Sequence, residues 1–175
     1  MNEFILLRPT AKYASQIVEY RQEFLDCGDS MDGTGSLRRI PDPEEYIKYC
    51  EDSENPEKVP AHLVPATQFL FIRKCDDKLV GMIKVRHYFN DYLEKYAGHI
   101  GYSVRPRERH KGYAKEMLKT TLPFCREIGI DKLMIACIDG NIGSEKTILA
   151  NGGVYDSSIH EPDRNLNLKK FWITL

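Results

Sequence analysis

One seven-residue run limits the fold more than any other part of this chain. KLMIACI (Lys132–Ile138) is apolar at both odd and even positions. A strand with that pattern has no face for water and suits the middle of a sheet covered on both sides. The segments around it supply both the neighbouring strands and the cover.

FILLRPT (Phe4–Thr10) reads as a first strand. AKYASQIVEYRQEFLDCG follows with Tyr13, Ile17, Tyr20 and Phe24 at helical spacing, and Gly28 stops it. The polar, glycine-rich DSMDGTGSLRRIPDP is a loop, and EEYIKYCEDSEN is a short helix with Pro43 near its first turn. QFLFIRK and KLVGMIKVRHYF are strands separated by a hairpin at Cys75-Asp76-Asp77. NDYLEKYAG is a connection, and GHIGYSV (Gly98–Val104) is the next strand. Ala114, Met117, Leu118, Thr121, Cys125 and Ile128 then mark a helix that Gly129 ends. Pro123 lies inside it and is expected to kink it or to cost about 3 kcal/mol. After KLMIACI come a short helix within DGNIGSEKTILANGG and two strands, GVYDSSI and LKKFWITL. The order β-α-α-β-β-β-α-β-α-β-β predicts a mixed α/β layout in a single domain over 1–175.

Composition narrows the function classes. With 42% hydrophobic and 29% charged residues among 175, the chain reads as a soluble globular protein. Lys+Arg total 25 against Asp+Glu 26, so there is no basic excess and no nucleic-acid partner is expected. No apolar run approaches the roughly 18 residues of a membrane span, and MNEFILLRPT reads as a strand, not a signal peptide. Cys27, Cys50, Cys75, Cys125 and Cys137 include no CxxC pair and no Cys/His ligand spacing. They are expected to be reduced packing thiols of a cytoplasmic protein, with no metal bound.

The chemistry concentrates where GHIGYSV hands over to the long helix. Pro106 is followed by Arg107-Glu108-Arg109-His110-Lys111-Gly112-Tyr113-Ala114. The first N–H groups of a helix lack internal partners and carry partial positive charge, so a diphosphate suits that end. Gly112 removes a Cβ that would keep an anion from the backbone, and the small Ala114 permits approach one turn further on. Arg109, His110 and Lys111 add side-chain charge. The same residues also fit a solvated basic turn that merely caps a helix.

These residues and their neighbours resemble the GCN5-related N-acetyltransferase (GNAT) superfamily. The family pattern Q/R-x-x-G-x-G/A is matched by Arg109 to Ala114, its fifth strand by KLMIACI, and its Asn-x-x-Ser helix with a terminal glycine pair by Asn141, Ser144, Gly152 and Gly153. HIGYSVRPRERHKGYAKEML and ILANGGV are similar to a bacterial branch of acetyltransferases. The resemblance implies a central mixed β-sheet with helices on both faces and acetyl-CoA as co-substrate. It further implies that Tyr102, Ser103 and Val104 offer backbone groups to the pantetheine arm. The N–H groups from Arg109 to Ala114 would hold the pyrophosphate. Asn141 and Ser144 would contact the cofactor, unless they serve only as a helix cap and a polar first turn.

The same resemblance leaves the proton path open. The family often has a glutamate eleven residues ahead of the arginine position and a tyrosine seven residues after the asparagine. Here those positions hold Gly98 and Ile148. His99 is the nearest titratable substitute for the base, with a structural histidine as the alternative, and a strand bulge would decide which face it takes. Tyr102 and Tyr155 are weaker candidates for the acid, and Asp139 is a relay or a turn former. Arg86 and His87 are candidates to line the acceptor site. The rest of that site would come from the loop between the first two helices, the NDYLEKYAG connection and the last two strands. Asp29, Asp32, Glu44 and Glu45 would attract a cationic amine, and Arg38 and Arg39 an acid.

The expected function is transfer of an acetyl group from acetyl-CoA to a primary amine of a small molecule or peptide. A non-catalytic acyl-CoA-binding protein is the rival. A nucleotide-binding module lacks the G-x-x-x-x-G-K-[ST] arrangement it would need. A homodimer to which the last strand contributes through Phe171 and Trp172 is a further expectation, with core packing as the alternative role of those aromatics.

Overall fold

The computed structural model describes residues 3–175. The elements are β1 (Phe4–Leu7), α1 (Ala14–Cys27), α2 (Pro43–Ser53), β2 (Ala66–Arg73), β3 (Lys78–Arg86), β4 (Ile100–Val104), α3 (Tyr113–Glu127), β5 (Lys132–Ile138), α4 (Ile142–Leu149), β6 (Val154–Glu161) and β7 (Leu166–Thr174). This is the α/β order the sequence predicts.

The strands pair as two antiparallel pieces, β1-β2-β3-β4 and β5-β7-β6. Alternation along β2 explains the layering. Phe69 and Phe71 join one core with Met117 and Leu118 of α3, while Leu70 and Ile72 join the other with Ile17, Tyr20 and Phe24 of α1 and Tyr46 of α2. Helices therefore cover both faces. β5 is buried over most of its length, although it ends its own three-stranded piece and touches the other piece through a single bridge.

Asp42 caps α2 by accepting from the Glu45 N–H at 2.8 Å, with Pro43 at the first helical position. Pro123 does not end α3, which continues to Glu127. The carbonyl deprived of its donor belongs to Lys119, an exposed residue, so solvent can satisfy it. The connection after β3 contains a π-helical turn, Leu93–Ala97. β7 is the middle strand of its sheet and Phe171 is in the core.

The two sheet pieces meet at one point. Gly98 bridges to Ile135, and the His99 N–H donates to the Met134 carbonyl at 2.9 Å. Beyond that point β4 and β5 share no further bridge. The cleft lies between them.

Candidate active site

The cleft has a volume of about 1000 Å³. β4, the turn after it and the start of α3 form one wall; Ala136–Ile138 of β5 and α4 form the other. Asp29, Ser30, Asp32, Gly33, Tyr96, Ala97 and Arg164 complete the lining, so the three segments expected around the acceptor do come together. Glu44, Glu45, Arg38 and Arg39 do not line it.

β4 presents half of its main chain to this space. Arg86 N–H donates to the His99 carbonyl and Arg105 N–H to the Val80 carbonyl. In an antiparallel pair of this register, odd-numbered residues from His99 to Arg105 therefore face β3. Ile100, Tyr102 and Val104 face the cleft. Ser103 departs from its expected role. Its main chain belongs to β3, and the Tyr20 hydroxyl lies 3.0 Å from both its carbonyl and its Oγ.

The turn holds a row of available donors. Among the described residues, no acceptor lies within hydrogen-bond reach of the His110, Lys111, Gly112 and Ala114 N–H groups. Gly112 caps α3 at φ +80°, and His110 also takes a positive φ of 62°. These two left-handed residues flank Lys111, and the row of free amides they create resembles an anion-binding nest. A Cβ at Gly112 would meet nothing within 4 Å, so backbone conformation rather than crowding demands glycine there.

The basic side chains behave otherwise than expected. Arg109 turns back to Asp29 (Nη1 to Oδ2, 2.6 Å) and the Val104 carbonyl (3.2 Å), over the Phe24 ring. Lys111 Nζ pairs with Glu108 at 2.8 Å, and its residue is not part of the cleft wall. Tyr113 buries its ring and accepts at its hydroxyl from Arg73 at 2.9 Å. Of the three basic side chains, His110 alone has no hydrogen-bond or ion-pair partner among the described residues, although Arg109 also lines the cleft.

Beneath the turn lies a residue that the sequence reading passed over. Glu108 is 4% exposed and takes Lys78 at 2.6 Å, Lys111 at 2.8 Å and Arg73 at 2.9 Å. Burial pushes its carboxyl pKa up, but the Lys111, Lys78 and Arg73 contacts outweigh this and hold it at about 2. No local pattern reveals such an anchor, because Lys78 and Arg73 stand on β3 and β2.

Across the cleft, Asn141 caps α4, its Oδ1 accepting from the Ser144 N–H at 3.1 Å. Ser144 Oγ lies 2.7 Å from the Tyr102 hydroxyl, linking α4 to β4. Desolvation raises the Tyr102 pKa to about 12. The Asn141 Nδ2 has no acceptor among the described residues, and both Asn141 and Ser144 line the cleft. Tyr155 lies outside the cleft wall, bonded to Ser158.

His99 is a pin between the sheet pieces and not a poised base. It is 6% exposed, its Nδ1 accepts from the Met134 N–H at 3.0 Å, and its ring stacks on Phe89. Burial, with the Arg86 charge nearby, lowers its pKa to about 4. A ring that accepts at Nδ1 carries its proton on Nε2 and has no lone pair for a substrate proton. Gly98 provides the geometry, at φ +68°. A Cβ there would lie 2.4 Å from the Met134 carbonyl oxygen, so the usual glutamate has no room. Ile148 is fully buried. Arg86 lines the cleft, but His87 points away to Thr67 (2.9 Å), because neighbours on a strand take opposite faces. No group of three or more His, Cys, Asp or Glu among the described residues is arranged to hold a metal. Cys137 lines the cleft with its thiol pKa raised by burial.

Comparison with known proteins agrees with this geometry. No curated protein sequence matches the chain. Its fold matches the ribosomal-protein-S5-alanine acetyltransferase of Vibrio fischeri, with TM-score 0.72, 16% identity, and 99% and 96% of the two chains covered. It also matches the ribosomal L7/L12 α-N-protein acetyltransferase RimL in complex with coenzyme A, with TM-score 0.72, 11% identity, and 98% and 94% covered. A third match is the microcin C7 self-immunity acetyltransferase MccE in complex with acetyl-CoA and AMP, with TM-score 0.70, 18% identity, and 99% and 93% covered. The sequence model of the Acetyltransferase (GNAT) family matches residues 34–150, a span that includes the Gly112 turn and most of both cleft walls, and the chain belongs to that family of acetyltransferases.

Proposed function

We propose that the chain moves an acetyl group directly from acetyl-CoA to a primary amine of a small molecule or a peptide. The observation that carries this reading is the row of unpartnered amides at His110, Lys111, Gly112 and Ala114, of which His110, Gly112 and Ala114 line the cleft. The diphosphate of acetyl-CoA fits that nest. The pantetheine arm runs beside the free main-chain edge of Ile100, Tyr102 and Val104, and Asn141 donates from Nδ2. The amine enters between the Asp29–Gly33 loop, Tyr96 and Arg164. Two of the similar structures carry names that specify protein amines, which keeps a peptide terminus among the acceptors. The chain acts as one cytoplasmic domain.

His99 keeps the strand junction in place. Neither Tyr102, at about 12, nor Glu108, at about 2, is held near neutral pH as a base. Acceleration then rests on orientation, which can supply roughly 7–11 kcal/mol. The absence of glutamate at Gly98 and tyrosine at Ile148 favours one second reading, an acyl-CoA-binding protein without turnover. Thiol detection of released CoA with a panel of amines separates the two. Turnover supports transfer, and tight CoA binding without turnover supports the second reading. Calorimetry with CoA, ATP and NAD tests the nest: equal or tighter binding of ATP or NAD overturns the cofactor.

A further inference from the structure

The cleft contains three arginines, and two are neutralised. Arg109 pairs with Asp29 at 2.6 Å and Arg164 with Glu161 at 2.5 Å. The inward-turned arginines elsewhere are paired too, Arg73 with Glu108 and Asp76, Arg105 with Glu19 and Glu23. Arg86 differs. Among the described residues no carboxylate lies within ion-pair distance of it, and the one hydrogen bond of its side chain runs from Nη1 to the Gly98 carbonyl at 3.2 Å. Its guanidinium passes over Gly101, where an added Cβ would lie 3.9 Å from Nη2. With hydrogens alone at Gly98 and Gly101, nothing on β4 screens the remaining donors from the cleft.

A guanidinium with five donors, one of them used, is an incomplete site. Burial pulls its pKa down, so the charge is held at a cost that an anion would relieve. Asp32 stands close enough to act on the charges of both Arg86 and Arg164. Asp32 is thus a negative group beyond ion-pair distance of Arg86 but within the same cleft, and Arg86 lies toward the Gly98 end, away from the Gly112 nest. The planar fork of arginine matches a carboxylate in bidentate fashion, and the nearby Asp32 opposes a more highly charged anion.

We infer that Arg86 selects the acceptor: the amine carries a carboxylate, which Arg86 binds while Asp32 faces the amine-bearing end. The inference rests on the transfer reading above and names the substrate class for it.

The test compares α-amino acids and short peptides bearing a carboxylate with their carboxamides and with simple alkylamines. Wild type and Arg86→Gln are each assayed by CoA release, and by calorimetric binding of the amino acids to the CoA complex. Wild type is expected to prefer the carboxylate member by at least tenfold in kcat/KM. Arg86→Gln is expected to lose that preference through the KM of the carboxylate acceptors, with CoA affinity unchanged. Equal use of acid and amide by wild type overturns the inference and leaves acetyl transfer standing. So does an equal slowing of all acceptors in Arg86→Gln. If carboxylates bind wild type but not Arg86→Gln and no amine turns over, the anion site stands and the transfer reading falls.

Discussion

Replacing Glu108 by Gln removes the carboxylate that Arg73, Lys78 and Lys111 share. The size of the loss follows from its ionisation. A carboxyl held at about 2 instead of the ordinary 4.5 prefers its charged form in the folded state by about 3 kcal/mol. Stranding buried cations by deleting their partner costs about 3–5 kcal/mol, but Lys78 and Lys111 both reach solvent and can rehydrate, so the lower end applies. Because the folded-state pKa is depressed, the contribution is fully present above 4.5 and is lost as pH falls toward about 2. Urea unfolding should show Glu108→Gln about 3 kcal/mol less stable than wild type at neutral pH. The gap should shrink to roughly half by pH 3. Affinity for acetyl-CoA should fall about tenfold, since the nest loses the anchor under its first residues. A gap below about 1 kcal/mol, or one that stays constant as pH is lowered, refutes the argument that this ion cluster sets the turn.

Gly112→Glu should weaken CoA binding at least a hundredfold, whereas Gly112→Ala should bind nearly normally and lose only about 1 kcal/mol of stability from its positive φ; equal affinities in calorimetry would remove the nest. His99→Ala should lose about 2–4 kcal/mol in urea unfolding, because it orphans the Met134 N–H and empties a buried site, while kcat above pH 7 stays within tenfold. A hundredfold loss of kcat with unchanged stability would return His99 to the role of base. Wild type should also lose stability as pH falls from 6.5 toward about 4, because the unfolded chain takes up a proton on this histidine and the folded one does not. Thermal unfolding across that range should show His99→Gln lacking this part of the pH dependence.

Periodicity made the element order legible. Helical spacing from Ala114 to Ile128 and the apolar run of β5 each report on one local face, and local faces are what periodicity encodes. The turn was legible for the same reason, since glycine and small residues at a strand-to-helix junction act through their own backbone. The errors arose where a side chain's role depends on a distant partner. Glu108 reads as one more charge in RPRERHKG, and only the return of β2 and β3 beneath it makes it an anchor. Arg109 and Lys111 read as phosphate ligands because Asp29 and Glu108 are invisible beside them in sequence. The pairing of Arg86 with His87 was avoidable, because strand alternation already puts consecutive residues on opposite faces.

Gly98 links two features that look separate, the missing base and the place where the cleft opens. At φ +68° its Cα lies against β5, and the His99 main chain and ring make two hydrogen bonds to Met134. Those bonds fix the last point at which the sheet pieces touch. β4 and β5 part directly after it, exposing the edge of Ile100, Tyr102 and Val104. A glutamate at position 98 would put its Cβ 2.4 Å from a backbone oxygen and force the strands apart where they must join. In this chain the residue that closes the junction cannot also carry a carboxylate. On the proposed transfer, the acceptor must therefore be held from the walls of the cleft, where Arg86 and the Asp29–Gly33 loop lie, and not from its apex.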